Sequence, residues 1–460
     1  MAQSSTVELT QDVYDVAPVE TDNRAMAVAI ALFFMVGFLT CLNDIIIPHL
    51  KSIFELSYGQ AMLVQFAFFS SYFLFSYPGG KLVDIVGYKR AMVGGLTIMG
   101  IGALGFVPAA TVASFGVFLA ALVILAAGMT TVQVAANPYV TIVGPPATAS
   151  SRLNLAQAFN SVGTFIAPFL GAMFILKGAR PLAPIQLHSM SAAAQQLYRA
   201  TESSSVRLPY MGMALVLFLL AVGLAAIKLK PGQSRLDHTR DFRPGAYDEN
   251  PAVHARIWRS PWLIAGAVGI FTYVGAEVAI GSLLVNFMEL PQIAGFTESR
   301  AANFLMIYWG GAMVGRFVGA AILKRVPTGP VLGMAGVFAF TCVMLAVTTH
   351  AHLAMYALLA VGFCNSIMFP SIFSLGLQGL GPLTSKGSSL MIAAIVGGAI
   401  IPLATGRLAD RIGLQTAFLI PSICYIYIAA LGLANRNRRL TEKKPLPQKQ
   451  CNFPHTQVQT

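Results

Sequence analysis

Two carboxylates stand inside apolar runs long enough to cross a membrane: Asp44, in CLNDIIIP, and Glu277, in YVGAEVAIGS. Ionisable groups in such runs are costly and mark functional sites by default. A carboxyl in an apolar medium can take up and release a proton near neutral pH. Ionised, it can instead help hold sodium with the carbonyl oxygens of an irregular helix. Asp44 is the first candidate for a cation-coupling group, because Pro48, four residues on, loosens the helix there. Glu277 is the second, and for it a structural acceptor role toward a neighbouring helix weighs equally. Glu289 precedes Pro291 and belongs at the membrane interface.

Amides form the other chemical signal. Gln133 and Asn137 fall at i and i+4, and Asn154, Gln157 and Ser161 share a helical stripe with Asn160 beside it. Asn43, Gln65, Asn286, Asn303 and Asn365 also lie in apolar runs. Amides both donate and accept hydrogen bonds, which suits a neutral polyhydroxy ligand. Phe38, Phe159, Tyr273, Tyr308 and Trp309 could cover such a ligand's apolar faces. The competing reading is hydrogen bonding between helices, worth about 0.6–2 kcal/mol per contact. The crowding of amides near residues 133–161 favours a polar cavity.

The elements that position these groups follow from composition. The 460 residues are 56% hydrophobic and 10% charged, with mean hydropathy +0.69. Soluble domains carry roughly 25% charged residues, so the bilayer is the natural solvent for this chain. The sequence predicts an all-α membrane protein with twelve spans: 25–48, 61–79, 91–110, 114–143, 153–176, 209–229, 261–288, 301–323, 329–349, 352–379, 387–406 and 414–434. The polar stretch 230–260 divides them into six-helix bundles at 25–229 and 261–434, with tails at 1–24 and 435–460. Of the Lys and Arg residues, only Lys51, Lys177, Arg180, Arg199, Arg207, Arg300, Arg407 and Arg411 fall in outer connections if both termini are cytoplasmic. Arg316 counts with the cytoplasmic charges in this scheme.

The net charge of +12 is therefore a topology signal, and no basic helix or zinc-finger spacing points to nucleic acid. The cysteines form no CxxC pair, and no HExxH or Walker lysine motif occurs. GIGALG at 100–105 lies within an apolar span with no strand before it, which makes it a helix-packing stretch. No metal or organic cofactor is expected, and no membrane-embedded enzyme chemistry is indicated. One chain holds both halves, so a monomer is expected.

The halves echo each other, as in transporter repeats. GKLVDIVGYKR begins at Gly80 and GRFVGAAILKR at Gly315, each with a basic pair nine and ten positions later. Gln133 precedes Pro138 by five residues, and Asn365 precedes Pro370 by five. Gly80, Asp84, Gly87, Lys89 and Arg90 resemble the loop signature of the major facilitator superfamily. There the glycines let helix ends approach, and the Asp can take a helix N-terminus or an Arg partner in one transport state. GRLADRIG at 406–413 looks alike but falls on the outer side by the span count.

FFMVGFLTCLNDIIIPHLK (33–51), QVAANPYVTIVGP (133–145), RLNLAQAFNSVGTFIAPFLG (152–171) and YVGAEVAIGSLLVNF (273–287) resemble the fucose permease branch of that superfamily, including the bacterial glucose/galactose porters. The resemblance implies alternating access between two bundles in a bacterial inner membrane. It implies sugar–cation symport, with the membrane Asp falling on Asp44 and a substrate asparagine on Asn160. A second acid of the fucose permease falls on Gln133, which cannot titrate, so the coupling ion stays open between proton and sodium. Cation-coupled export of a metabolite or drug is the alternative.

Overall fold

The computed structural model describes residues 21–54, 58–171, 207–227 and 257–436, with short pieces between 190 and 201. The tails, most of the 172–206 loop and most of the 230–260 connection lie outside the described residues. So do the side chains of Asn43, Asp44 and Gln65, although helices run through all three positions.

Among the described residues the ordered elements are helices. The first bundle comprises α1 (Asn23–Phe54), α2 (Tyr58–Val112), α3 (Phe115–Ile142), α4 (Ala149–Gly171) and α5 (Arg207–Ala226). The second comprises α6 (Pro261–Glu289), α7 (Glu298–Ile322), α8 (Thr328–Thr348), α9 (Ala351–Asn365), α10 (Met368–Leu377), α11 (Thr384–Ala393), α12 (Gly397–Ile412), the single turn α13 (Leu414–Ala417) and α14 (Leu419–Ala434). Among the described residues, ten stretches are long and apolar enough to cross a membrane. One of them, Phe66–Val112, has 47 residues. At 1.5 Å per residue this is roughly twice the hydrocarbon thickness. Gly87 divides it, with φ 80° and ψ 165°, a backbone open in practice only to glycine. Helix α4 is not among the ten: its described part, Ala149–Gly171, carries the amides and Arg152, and the apolar residues 172–176 that complete the 153–176 span lie outside the described residues. Splitting the first and adding the second restores twelve spans.

Some spans are interrupted where proline removes a donor. Pro370 cannot bond the carbonyl of Ser366, and α9 and α10 part there. Small residues set the tight contacts. A Cβ at Gly102 would meet the backbone of Leu125, and one at Gly105 would meet Ala121, so GIGALG is a packing surface between α2 and α3. A Cβ at Gly37 would meet the carbonyl of Asn160, and one at Gly163 would meet the carbonyl of Phe34. Helices α1 and α4 therefore touch backbone to backbone. Leu208, Leu219, Val222, Met334, Phe338 and Ile423 are exposed on the outside, where lipid rather than water receives them.

The α3–α4 corner is tied by one side chain. Arg152 donates to the carbonyls of Val140 at 3.1 Å, Thr141 at 2.8 Å and Pro145 at 2.9 Å, and to Thr148 Oγ1 at 2.7 Å. It thereby satisfies the last carbonyls of α3. This fixes α4 relative to the amide face of α3.

Candidate functional site

A cavity of about 160 Å³ lies between the bundles. Gln157, Asn160 and Thr164 reach it from α4 at i, i+3 and i+7, one helical face. Gln133 enters from α3, Tyr72 from α2, and Val36 and Thr40 from α1. The second bundle supplies Tyr273, Val274 and Glu277 from α6, Arg316 from α7 and Phe369 from α10. The cavity thus has an amide wall in one bundle and a charged and aromatic wall in the other.

The amides are held differently. Gln133 Nε2 donates to Tyr72 Oη at 2.9 Å. Asn160 Nδ2 donates to the carbonyl of Phe33 at 3.0 Å, which ties α4 to α1. The Gln157 side chain lines the cavity and forms no hydrogen bond among the described residues. Across the cavity, Glu277 Oε1, Tyr273 Oη and Arg316 Nε are buried without a well-formed hydrogen bond, the Tyr273 phenol standing close enough to the Glu277 carboxyl to interact with it. Buried polar groups are normally paired, so these three retain bonding capacity toward the cavity. No group of His, Cys, Asp and Glu able to hold a metal occurs among the described residues.

The repeat extends to side chains. Asn365 Nδ2 donates to Tyr308 Oη at 2.9 Å, as Gln133 does to Tyr72. Tyr425 Oη then donates to Asn365 Oδ1 at 2.9 Å and closes that network. One half therefore turns its amide–phenol pair to the cavity, and the other buries it. Asn137 is fully buried, donating to the carbonyl of Gln133 at 2.9 Å. Asn303 is exposed, and exposed Asn286 bonds Glu289 Oε2 at 3.3 Å, so neither lines this cavity. Of the five candidate aromatics, Tyr273 reaches it, while Phe159 packs edge-on against Phe317.

Arg316 corrects the charge assignment made from sequence. It is not a loop cation: six residues of α7 follow it, and its guanidinium sits at the cavity. The span limits 301–323 already placed it inside the membrane, a signal that counting charges for topology overrides.

Below the cavity, at the end carrying the 80–90 turn, hydroxyls clasp the bundles. Ser385 Oγ donates to the Gly80 carbonyl at 3.1 Å, and a Cβ at Gly80 would collide with Ser389. Ser388 Oγ donates to the Val134 carbonyl at 2.9 Å, the carbonyl that Pro138 leaves without a helical donor. Thr328 Oγ1 donates to Ser150 Oγ at 2.8 Å, and Ser151 Oγ bonds the carbonyl of Ala320. Lys89 Nζ donates to the Ala225 carbonyl at 2.8 Å, within the first bundle. In the look-alike segment, Gly413 repeats the backbone of Gly87 with φ 88° and ψ 150°. Gly406, however, has no neighbour where Gly80 meets Ser389. The same turn therefore lacks the bundle contact.

Two helix bundles around a buried polar cavity, clasped at one end, define a membrane transporter of the alternating-access kind. Residues 28–391 match the Major Facilitator Superfamily, and the chain belongs to that family. It is 49% identical over 406 residues to a glucose/galactose transporter of Brucella abortus biovar 1 (strain 9-941), covering 87% of this chain and 92% of the relative. It is 34% identical over 403 residues to the L-fucose-proton symporter of Escherichia coli (strain K12), covering 87% and 91%. The crystal structure of FucP in an outward conformation superposes with a TM-score of 0.79 at 32% identity, covering 88% of this chain and 97% of that one.

Proposed function

We propose that this protein imports a neutral hexose such as glucose or galactose together with a cation, by alternating access in a bacterial inner membrane. The observation that carries the reading is the cavity itself: amides of Gln133, Gln157 and Asn160 face Glu277 across the bundle interface. Amides recognise hydroxyls, and the carboxyl offers a place for the cation. The relatives named as glucose/galactose transporters and fucose–proton symporters support the same substrate class. Asp44 and Glu277 are the cation-coupling groups, with Asn43 and Gln65 contributing to the polar lining. Both termini are cytoplasmic, which makes the clasped end the inner one and the described state outward-facing.

The test is uptake of labelled glucose and galactose into proteoliposomes under a proton gradient alone or a sodium gradient alone. Accumulation above equilibrium under one gradient is the expected result, and Asp44→Asn abolishes it. Equilibration without accumulation under either gradient would make the protein a uniporter. Transport of neither sugar, nor of fucose or mannose, would end the sugar reading.

A further inference from the structure

Arg316 belongs to the second bundle, yet it bonds the first. Its Nη1 donates to the Gln157 carbonyl at 3.4 Å and to Ser161 Oγ, both on α4. Its own carbonyl accepts from Asn154 Nδ2 at 2.7 Å. The same guanidinium shares the cavity with Glu277 of its own bundle. Arg316 Nε and Glu277 Oε1 are both buried without a well-formed hydrogen bond. The other titratable side chains facing Glu277 among the described residues are the phenols Tyr273 on α6, Tyr308 on α7 and Tyr425 on α14. Arg316 is thus the full positive charge within reach of that carboxyl among the described residues. Two sets of acceptors compete for one guanidinium: neutral oxygens across the bundle interface, and a carboxyl whose charge depends on what it binds.

We propose that Arg316 is the positioning residue that links the cation occupancy of Glu277 to the clasp between the bundles. With Glu277 ionised and empty, the guanidinium is drawn toward it and its hold on α4 weakens. With Glu277 neutralised by a proton or a sodium ion, the guanidinium bonds the Gln157 carbonyl and Ser161, and the 80–90 end stays shut. Cation loading therefore stabilises the state that receives sugar from the opposite side. This rests on the reading of the chain as a cation symporter.

The test uses the full chain in liposomes, in a background without native cysteines. Ser151→Cys and Ala320→Cys are placed where Ser151 bonds the Ala320 carbonyl, so a bifunctional thiol reagent joins them when the end is closed. Glu277→Gln imitates the neutralised carboxyl. It is expected to raise cross-linking about threefold when Arg316 is present and to change nothing in the Arg316→Gln background, as coupled residues do in a double-mutant cycle. An equal effect in both backgrounds, or none in either, overturns the proposal. Arg316→Lys gives a second readout, because it keeps the charge and loses the planar fork. Its ratio of gradient-driven accumulation to sugar exchange falls at least threefold, and an unchanged ratio overturns the proposal. Unmodified protein is assayed alongside. Failure of that protein to accumulate sugar defeats the symporter reading, whereas accumulation together with an Arg316-independent effect of Glu277→Gln defeats this inference alone.

Discussion

Gln157 lines the cavity from α4 with its amide unengaged, and removing that amide has a cleaner consequence than removing its neighbour. A hydrogen bond between neutral groups is worth about 0.5–1.5 kcal/mol, and each 1.4 kcal/mol is tenfold in affinity. Gln157→Ala is expected to raise KM for the sugar about three- to tenfold with little change in kcat, as lost ground-state binding does. An unchanged KM would place the sugar elsewhere. Asn160→Ala also cuts the bond to the Phe33 carbonyl, so it lowers kcat as well. These amides were legible in the sequence because polar groups are rare in apolar runs, and the stripe 154–161 stood out. Depth was not legible: Asn286, Asn303 and Gln133 look alike in one dimension, and only Gln133 reaches the cavity. Tyr72 was invisible for another reason. In QFAFFSSYFLF an aromatic ring can face lipid, core or site, and the sequence carries no mark of which.

Helices α1 and α4 meet through glycine, and this sets where the amide wall stands. A Cβ at Gly163 would press on the carbonyl of Phe34 and come within 2.9 Å of the Phe38 nitrogen. Backbone atoms cannot rotate aside, so Gly163→Ala forces the helices apart at a cost of about 1–3 kcal/mol. Uptake is expected to fall below about a tenth of wild type and Tm by several degrees. Gly212→Ala on α5, where a Cβ meets nothing within 4 Å, is the control and leaves both unchanged. Equal tolerance of the two substitutions would refute the account. At this scale hydropathy located the spans well, because apolar length is what the bilayer selects. It located even α4, whose amides and Arg152 fill the first turns, because the apolar residues up to 176 complete the span. The span count separated GRLADRIG from its look-alike where local pattern does not: Gly87 and Gly413 share a backbone conformation, but only the first segment, at Gly80, meets the other bundle.

The whole molecule must visit two states of similar free energy, since an equilibrium held far to one side would stop the cycle. Closing one end with hydroxyl-to-carbonyl bonds suits that need, because each contributes only about 0.5–1.5 kcal/mol net. Among them the Ser388 bond to the Val134 carbonyl is the most exposed to loss. Pro138 has no N–H to return to that carbonyl, so Ser388→Ala leaves it buried and unpaired in the closed state alone. The cost of about 1–3 kcal/mol shifts the equilibrium roughly 5- to 150-fold toward opening at the 80–90 end. Thiol labelling of Ala320→Cys, whose position is buried when that end is shut, should accelerate accordingly. Pro138→Ala supplies the missing N–H within α3, so the double variant Pro138→Ala/Ser388→Ala is expected to recover much of the closed state. A labelling rate unaffected by Ser388→Ala, or a double variant no slower than the single one, would mean that the proline-freed carbonyl does not hold the clasp. A proline at 138 marks the carbonyl it frees, but the hydroxyl that captures that carbonyl lies 254 residues away in the chain, beyond what local pattern can reach.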